Sequence, residues 1–152
     1  MITAWRLVKI QYAEDAFTGE AARRRGGRWN PVGTPVVYTS SGAALATLET
    51  LVHLESEQII DFVMITCSFP EVLVEKVDRT RLPDGWRGVP SPPILQEMGY
   101  EWASQRVSAV LEVPSAVIPE DNNYLLNPEH PDFQSIDIGV PRPFSLDLRL
   151  LT

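Results

Sequence analysis

Apolar and polar positions divide the chain into short strand-like runs, two helical stretches and several turn-rich connections. Residues 2–10 alternate, with Trp5, Leu7 and Lys9 on one side and Ala4, Arg6 and Val8 on the other. That pattern predicts a first strand carrying Arg6 on its flank. Residues 11–30 are polar, charged and glycine-bearing, which predicts a long functional loop with one helical turn around 20–24. Pro31 and Gly33 then make a turn before a β-rich run at 34–39 that ends near Tyr38.

From 43 to 55 the period changes to that of a helix, with Ala44, Leu45, Leu48, Leu51 and Val52 on one face and Ser40, Ser41 and Gly42 as capping residues. At ~100° per residue, Glu49 lies about 40° beyond Leu45 and about 60° from Val52, at the rim of the apolar stripe. A rim carboxylate can face a pocket. Glu55 projects nearer the middle of the stripe but falls in the last turn, where fraying releases side chains, so periodicity does not choose between the two.

Strands are predicted at 59–68 and 72–77, as antiparallel neighbours, followed by an irregular proline-rich connection and a helix over 94–105. Short strands at 108–113 and 116–118, a turn-rich segment at 122–132 and closing strands at 136–140 and 144–151 complete the reading. The sum is an α+β fold, mainly antiparallel sheet with two main helices. A chain of 152 residues without internal repeats is expected to form one domain over 1–152.

Cys67 is the only cysteine, which excludes an internal disulfide and a cysteine-built zinc cage; in its apolar run it reads as a buried core thiol. With only His53 and His130, no metal site is expected. The first residues lack the apolar core of a secretory signal and no stretch approaches ~18 apolar residues, so a cytoplasmic protein with no membrane contact is expected. Phosphate loops of the G-x-x-x-x-G-K-[ST] kind, dinucleotide turns, zinc-protease helices and nucleophile elbows are missing from the sequence.

Charge adds one more feature. Residues 1–30 carry six basic and three acidic side chains, whereas 31–152 carry seven basic and seventeen acidic ones, for a net charge of -7. Such an acidic chain is a poor general binder of nucleic acid. Arg23, Arg24, Arg25 and Arg28 are concentrated around Gly26 and Gly27, which reads either as a focused anion pocket or as a solvated basic loop.

Arg28, Tyr38 and Glu49 follow one another at spacings of ten and eleven residues, on a loop, a strand end and a helix. An arginine, an aromatic and a lone carboxylate suit cleavage of the nicotinamide–ribose bond of NAD+. Nicotinamide departs from a ring that is already cationic, so the site must hold the pyrophosphate, clamp the ring and stabilise an oxocarbenium-like sugar with negative charge.

The segments GGRWNPVGTPVVYTS, LATLETLVHLE and NYLLNPEHPDFQS, spread over nearly the whole chain, resemble those of the RES-domain toxins of RES/Xre type II toxin–antitoxin systems. That resemblance implies a fold related to ADP-ribosyltransferases and an activity that consumes NAD+ by hydrolysis or phosphorolysis, with transfer of ADP-ribose to a protein as the alternative. It assigns the family arginine to Arg28, the tyrosine to Tyr38, the glutamate to Glu49 rather than Glu55, and the serine to Ser135, as a hydrogen-bond partner of the substrate or of Glu49. NAD+ would be substrate, with no further cofactor. The resemblance also implies an Xre-type antitoxin covering the site, DNA contacted only through that partner, and a homodimer within the complex. A purely binding role, through the acidic surface, is the reading of a different class.

Overall fold

The computed structural model describes residues 1–54 and 61–151. Eight strands form one sheet: β1 (Ile2–Lys9), β2 (Val37–Ser40), β3 (Phe62–Phe69), β4 (Val74–Lys76), β5 (Val110–Pro114), β6 (Asn122–Leu126), β7 (Asp137–Ile138) and β8 (Arg142–Phe144). Among the described residues three α-helices accompany them: α1 (Glu20–Arg25), α2 (Ala43–Leu51) and α3 (Pro93–Ser104). The strand order is β4-β5-β6-β2-β1-β3-β7, with β8 also paired to β3. Every pairing is antiparallel except β4 with β5. The expected α+β class and mainly antiparallel sheet are therefore what the chain forms.

Alternation along β1 sorts the molecule into two faces. Ala4 pairs with Cys67, and on that face Val37, Phe69, Val110, Tyr124, Leu126 and Ile136 form a core, with Phe17 and Phe133 packed against it. Trp5 pairs with both Ser40 and Thr66, and its face is covered by the two longer helices. There Leu7, Phe62 and Met64 meet Ala46 of α2, while Leu111, Val113 and Leu125 meet Leu95, Trp102 and Ala103 of α3.

Several segments differ from the sequence expectation. The strands expected at 59–68 and 72–77 are not neighbours: β3 lies between β1 and the β7/β8 pair, and β4 crosses to run parallel with β5. Five consecutive residues from Phe69 hold a proline and a 3₁₀ turn at Glu71–Leu73, too long and too rigid for a tight hairpin. Residues 59 and 60 lie outside the described residues. Residues 116–118 form bends and turns, and the strand falls instead at β6, which was read as turn-rich. Leu125 and Leu126 are both fully buried, one on each face, so β6 shows no alternation to betray it. The closing strands shrink to β7 and β8, and the end of 144–151 is a 3₁₀ turn at Leu148–Leu151. At α2 the N-cap is Gly42 with no side-chain cap, because Ser40 stays in β2 and donates to Asn123 Oδ1 at 2.8 Å.

Candidate active site

Arg28 stands on a loop fixed from three directions. α1 ends at Gly26, whose φ of 72° lies in the left-handed region, and the chain doubles back so that Gly27 N–H donates to Asn30 O at 2.9 Å. Asn30 is fully buried and its Nδ2 donates to the carbonyls of Ala22 at 2.9 Å and Thr34 at 3.0 Å. Gln96 of α3 donates to the carbonyls of Gly27 at 2.9 Å and Asn30 at 3.1 Å. Behind the loop, Gly99 of α3 faces the backbone of Trp29 so closely that a Cβ there would stand 1.6 Å from the Trp29 carbonyl oxygen. Only glycine permits that contact.

Tyr38 pins the same loop. Its hydroxyl donates to Asn30 Oδ1 at 2.5 Å and accepts from Trp29 N–H at 3.1 Å. Burial raises the phenol above its ordinary pKa, so it remains a neutral donor. A Cβ on Gly27 would lie 2.7 Å from that hydroxyl, which explains a second glycine in the loop.

Glu49 projects from α2 toward the ends of β5 and β6. Its Oε1 accepts from Ser115 Oγ at 2.7 Å and from Asn123 Nδ2 at 2.8 Å. Ser115 is fully buried and also accepts the N–H groups of Val117 at 3.1 Å and Ile118 at 3.0 Å, closing a turn just beyond β5. Two donors thus hold one carboxylate oxygen, while Oε2 has no hydrogen-bond partner among the described residues.

The Arg28 guanidinium is half-buried and gives Nη1 to the carbonyls of Trp86 at 2.8 Å and Gly88 at 3.1 Å. Desolvation lowers its pKa, and the charge of Glu49 opposes that shift, with the Tyr38 hydroxyl also within electrostatic reach. The three expected residues therefore share one electrostatic environment on the helix-covered face. Nε and Nη2 of Arg28 have no partner among the described residues, which leaves a forked donor pair suited to one phosphate. Two concavities of about 260 Å³ each lie elsewhere, one around Thr3, Thr66 and Asp137 and the other around Tyr100, Arg106 and Glu129. Neither is lined by Arg28, Tyr38 or Glu49, so chemistry rather than concavity marks the site.

The RES domain profile matches residues 3–147, nearly the whole chain. This chain belongs to the RES domain family. Its relatives include "Toxin Res" of Photorhabdus laumondii, 36% identical over 149 residues that cover 97% of this chain and 96% of the relative. "Prs ADP-ribosylating toxin" of Sphingobium sp. is 38% identical over 153 residues, covering 97% and 95% respectively. A chain of the M. tuberculosis MbcT–MbcA toxin–antitoxin complex superposes with a TM-score of 0.73 at 20% identity, over 99% of this chain and 86% of that one. The likeness to that solved chain establishes the fold.

Within the RES domain, the structure brings Arg28, Tyr38 and Glu49 together and places Ser135 elsewhere. Ser135 is exposed and ends the 3₁₀ turn Pro131–Ser135, whose flanking Phe133 and Ile136 pack on the opposite face of the sheet. The serine that touches Glu49 is Ser115. Glu55 lies outside the described residues. The arginine run divides as well: Arg23 and Arg24 both pair with Glu20 on their own helix, and the hydrogen bond from Arg23 holds the Glu20 carboxyl down at about 2. That leaves Arg28 as the arginine of the run that donates across to the Trp86–Gly88 segment.

Ser115, Asn123, Asn30 and Gln96 were not singled out by the sequence. A serine directly after Pro114 and two residues before Val117 is a hydroxyl-capped turn signal, and would have been the clue to Ser115. Cys67 is buried as expected, with burial pushing its thiol up to about 12, which removes it as a nucleophile. No cluster of metal-ligating side chains occurs among the described residues. No helix there is long and apolar enough to cross a membrane.

Proposed function

We propose that this RES-domain toxin cleaves the nicotinamide–ribose bond of NAD+, by hydrolysis or phosphorolysis, and arrests growth by draining the cofactor. The observation that carries the reading is Glu49: one oxygen fixed by Ser115 and Asn123, the other without a hydrogen-bond partner among the described residues, in a carboxylate whose charge is felt by Arg28. Two donors on Oε1 fix the orientation of the carboxylate, so Oε2 can order the ribose hydroxyls and stabilise the positive charge that develops as the bond stretches. Arg28 takes the pyrophosphate with Nε and Nη2. Tyr38, its hydroxyl committed to Trp29 and Asn30, offers its ring to the nicotinamide end. Nicotinamide leaves as a neutral molecule, so a general acid is not required, and NAD+ acts as substrate with no resident cofactor or metal. In this reading Ser115 takes the place that Ser135 was expected to fill.

Purified protein should release nicotinamide from NAD+, measured with and without phosphate to separate the two acceptors. Arg28→Ala should lower kcat/KM by about 100-fold or more, through KM as well as kcat. Undiminished release by that variant rejects the assignment.

A second reading keeps the site and changes the acceptor to a protein side chain, and the name of the Sphingobium relative favours it. Labelled NAD+ in a cell extract separates the two. A labelled protein band supports transfer, whereas free ADP-ribose or its phosphate supports breakdown.

The toxin–antitoxin complex in which the solved structural neighbour occurs supports an antitoxin partner for this chain too. We infer an Xre-type protein that covers the site, carries any DNA contact, and joins two copies of the toxin in one cytoplasmic complex. An enzyme that consumes a central cofactor must be restrained while it is synthesised.

A further inference from the structure

The segment joining the turn Arg79–Arg81 to α3 supplies no side chain to the reading above, yet it touches both halves of the site. From one side, Arg28 Nη1 donates into the carbonyls of Trp86 and Gly88. Between those two residues, Arg87 points the other way: its Nε donates to Ala116 O at 2.9 Å and its Nη2 reaches Val117 O at 3.5 Å. The carbonyls it meets belong to the turn that Ser115 closes through the Val117 and Ile118 N–H groups. Ser115 in turn donates to Glu49. Trp86, packed against the α3 core, anchors the segment between its two contacts.

We propose that Arg87 is a positioning residue: residues 86–88 form a strap that couples the anion grip of Arg28 to the carboxylate of Glu49, through Arg87 and the Ser115 turn. The proposal rests on the reading of Arg28 and Glu49 given above. With Nη1 committed to the strap, the plane of the Arg28 guanidinium is set, and the direction of its Nε and Nη2 donors with it. With the 116 and 117 carbonyls held, the Ser115 hydroxyl keeps the orientation that fixes Glu49 Oε1. A planar guanidinium meets two successive carbonyls from two nitrogens in a fixed fork, a geometry that the point-like ammonium of a lysine does not reproduce. The strap therefore sets the separation between phosphate grip and carboxylate, a distance on which the reacting geometry depends.

The test pairs kinetics with an observable that needs no activity. Arg87→Ala should lower kcat for nicotinamide release by about tenfold while KM stays within about twofold, and Arg87→Lys should not restore it. Because Arg87 acts through Ser115, the double variant Arg87→Ala/Ser115→Ala should be no slower than Ser115→Ala alone. In hydrogen exchange, the Val117 and Ile118 amides should lose at least about tenfold protection in Arg87→Ala, with β5 and β6 amides unchanged. Multiplicative losses in the double variant overturn the proposal, as does unchanged kcat, whether or not protection changes. If the wild-type protein releases no nicotinamide, the proposed activity falls, and the exchange measurement alone decides whether Arg87 holds the turn.

Discussion

The two faces of the sheet use the same strands for opposite purposes. On the Ala4 face, Phe69 and Tyr124 meet edge-to-face with ring centroids 5.5 Å apart, and nine buried residues close over one another. On the Trp5 face, α2 and α3 cover the sheet separately, and where their coverage ends the strands present Ser40, Asn123 and the Ser115 turn instead of hydrocarbon. Arginine shows the contrast in one residue type. Arg6, on the Ala4 face, gives Nε to Ala16 O at 2.8 Å and Nη1 to Tyr38 O at 2.9 Å, and burial brings its pKa down to about 10. Arg28 also donates to carbonyls, but it feels the charge of Glu49 and its remaining donors have no partner among the described residues. One arginine closes a gap in the fold; the other keeps two donor nitrogens without a partner among the described residues.

If that division is correct, stability and activity should separate cleanly between the faces. Glu49→Gln keeps an acceptor for Ser115 and removes the charge, so nicotinamide release should fall by about 100-fold or more with a urea midpoint close to that of the wild type. Phe69→Ala should do the reverse, costing about 3–5 kcal/mol of stability while the folded fraction keeps its kcat. Denaturation curves and assays scaled to the folded fraction check both. A Phe69 variant whose folded molecules are inactive, or a Glu49 variant that unfolds, would erase the distinction.

Much of this division was legible in the sequence because it is periodic. The alternation in β1 named the two faces, whereas the stripe read for α2 was displaced: its buried positions are Leu45, Ala46 and Thr47, and Ala44 and Val52 of the expected stripe are exposed. The fold class followed from the same patterns. What periodicity could not reach is what side chains do across strands. β6 hid because it is buried on both faces, so Asn122 and Asn123 read as turn formers although Asn123 holds Glu49. The parallel pairing of β4 was hidden for a related reason, since three residues leave no pattern that fixes a partner. Charge counting drew attention to four arginines, but an ion pair three residues apart neutralises part of that cluster, and only the folded chain shows which guanidinium reaches across to a distant segment. The two serines show the same limit. Ser135 lies in a turn with the expected family pattern, whereas Ser115 earns its role from a hydrogen bond to a residue 66 positions away.

A smaller effect sharpens that last point. Ser115→Ala removes a donor from Glu49 and leaves two N–H groups of the turn without their acceptor, so activity should drop about tenfold and stability by about 1–3 kcal/mol. Ser135→Ala, at an exposed position over the other face, should change neither by a measurable amount. Parallel assays and melts of the two variants decide it: equal losses would return Ser135 to the site and blur the line between the faces.

The gentlest probe is alkaline pH, because the sealed face buries two acids that ionise late. Burial pushes the Cys67 thiol from 9.0 up to about 12, and burial together with the charge of Glu112 takes the Tyr124 phenol from 10.0 up to about 12. Both folded values are raised, so their contribution is complete below about pH 9, where neither state has lost its proton. Above that, the unfolded chain releases protons that the folded chain retains, and the stability is lost progressively as pH climbs through the folded values. Between pH 8 and pH 10.5 the unfolding free energy read from urea denaturation should fall, by roughly 1–2 kcal/mol from Cys67 alone. Cys67→Ala should show a shallower fall over the same interval, since the variant has no thiol to ionise in either state. A variant with the wild-type slope would mean that the thiol is hydrated in the native protein, and the Ala4 face would then be less tightly closed than its contacts imply.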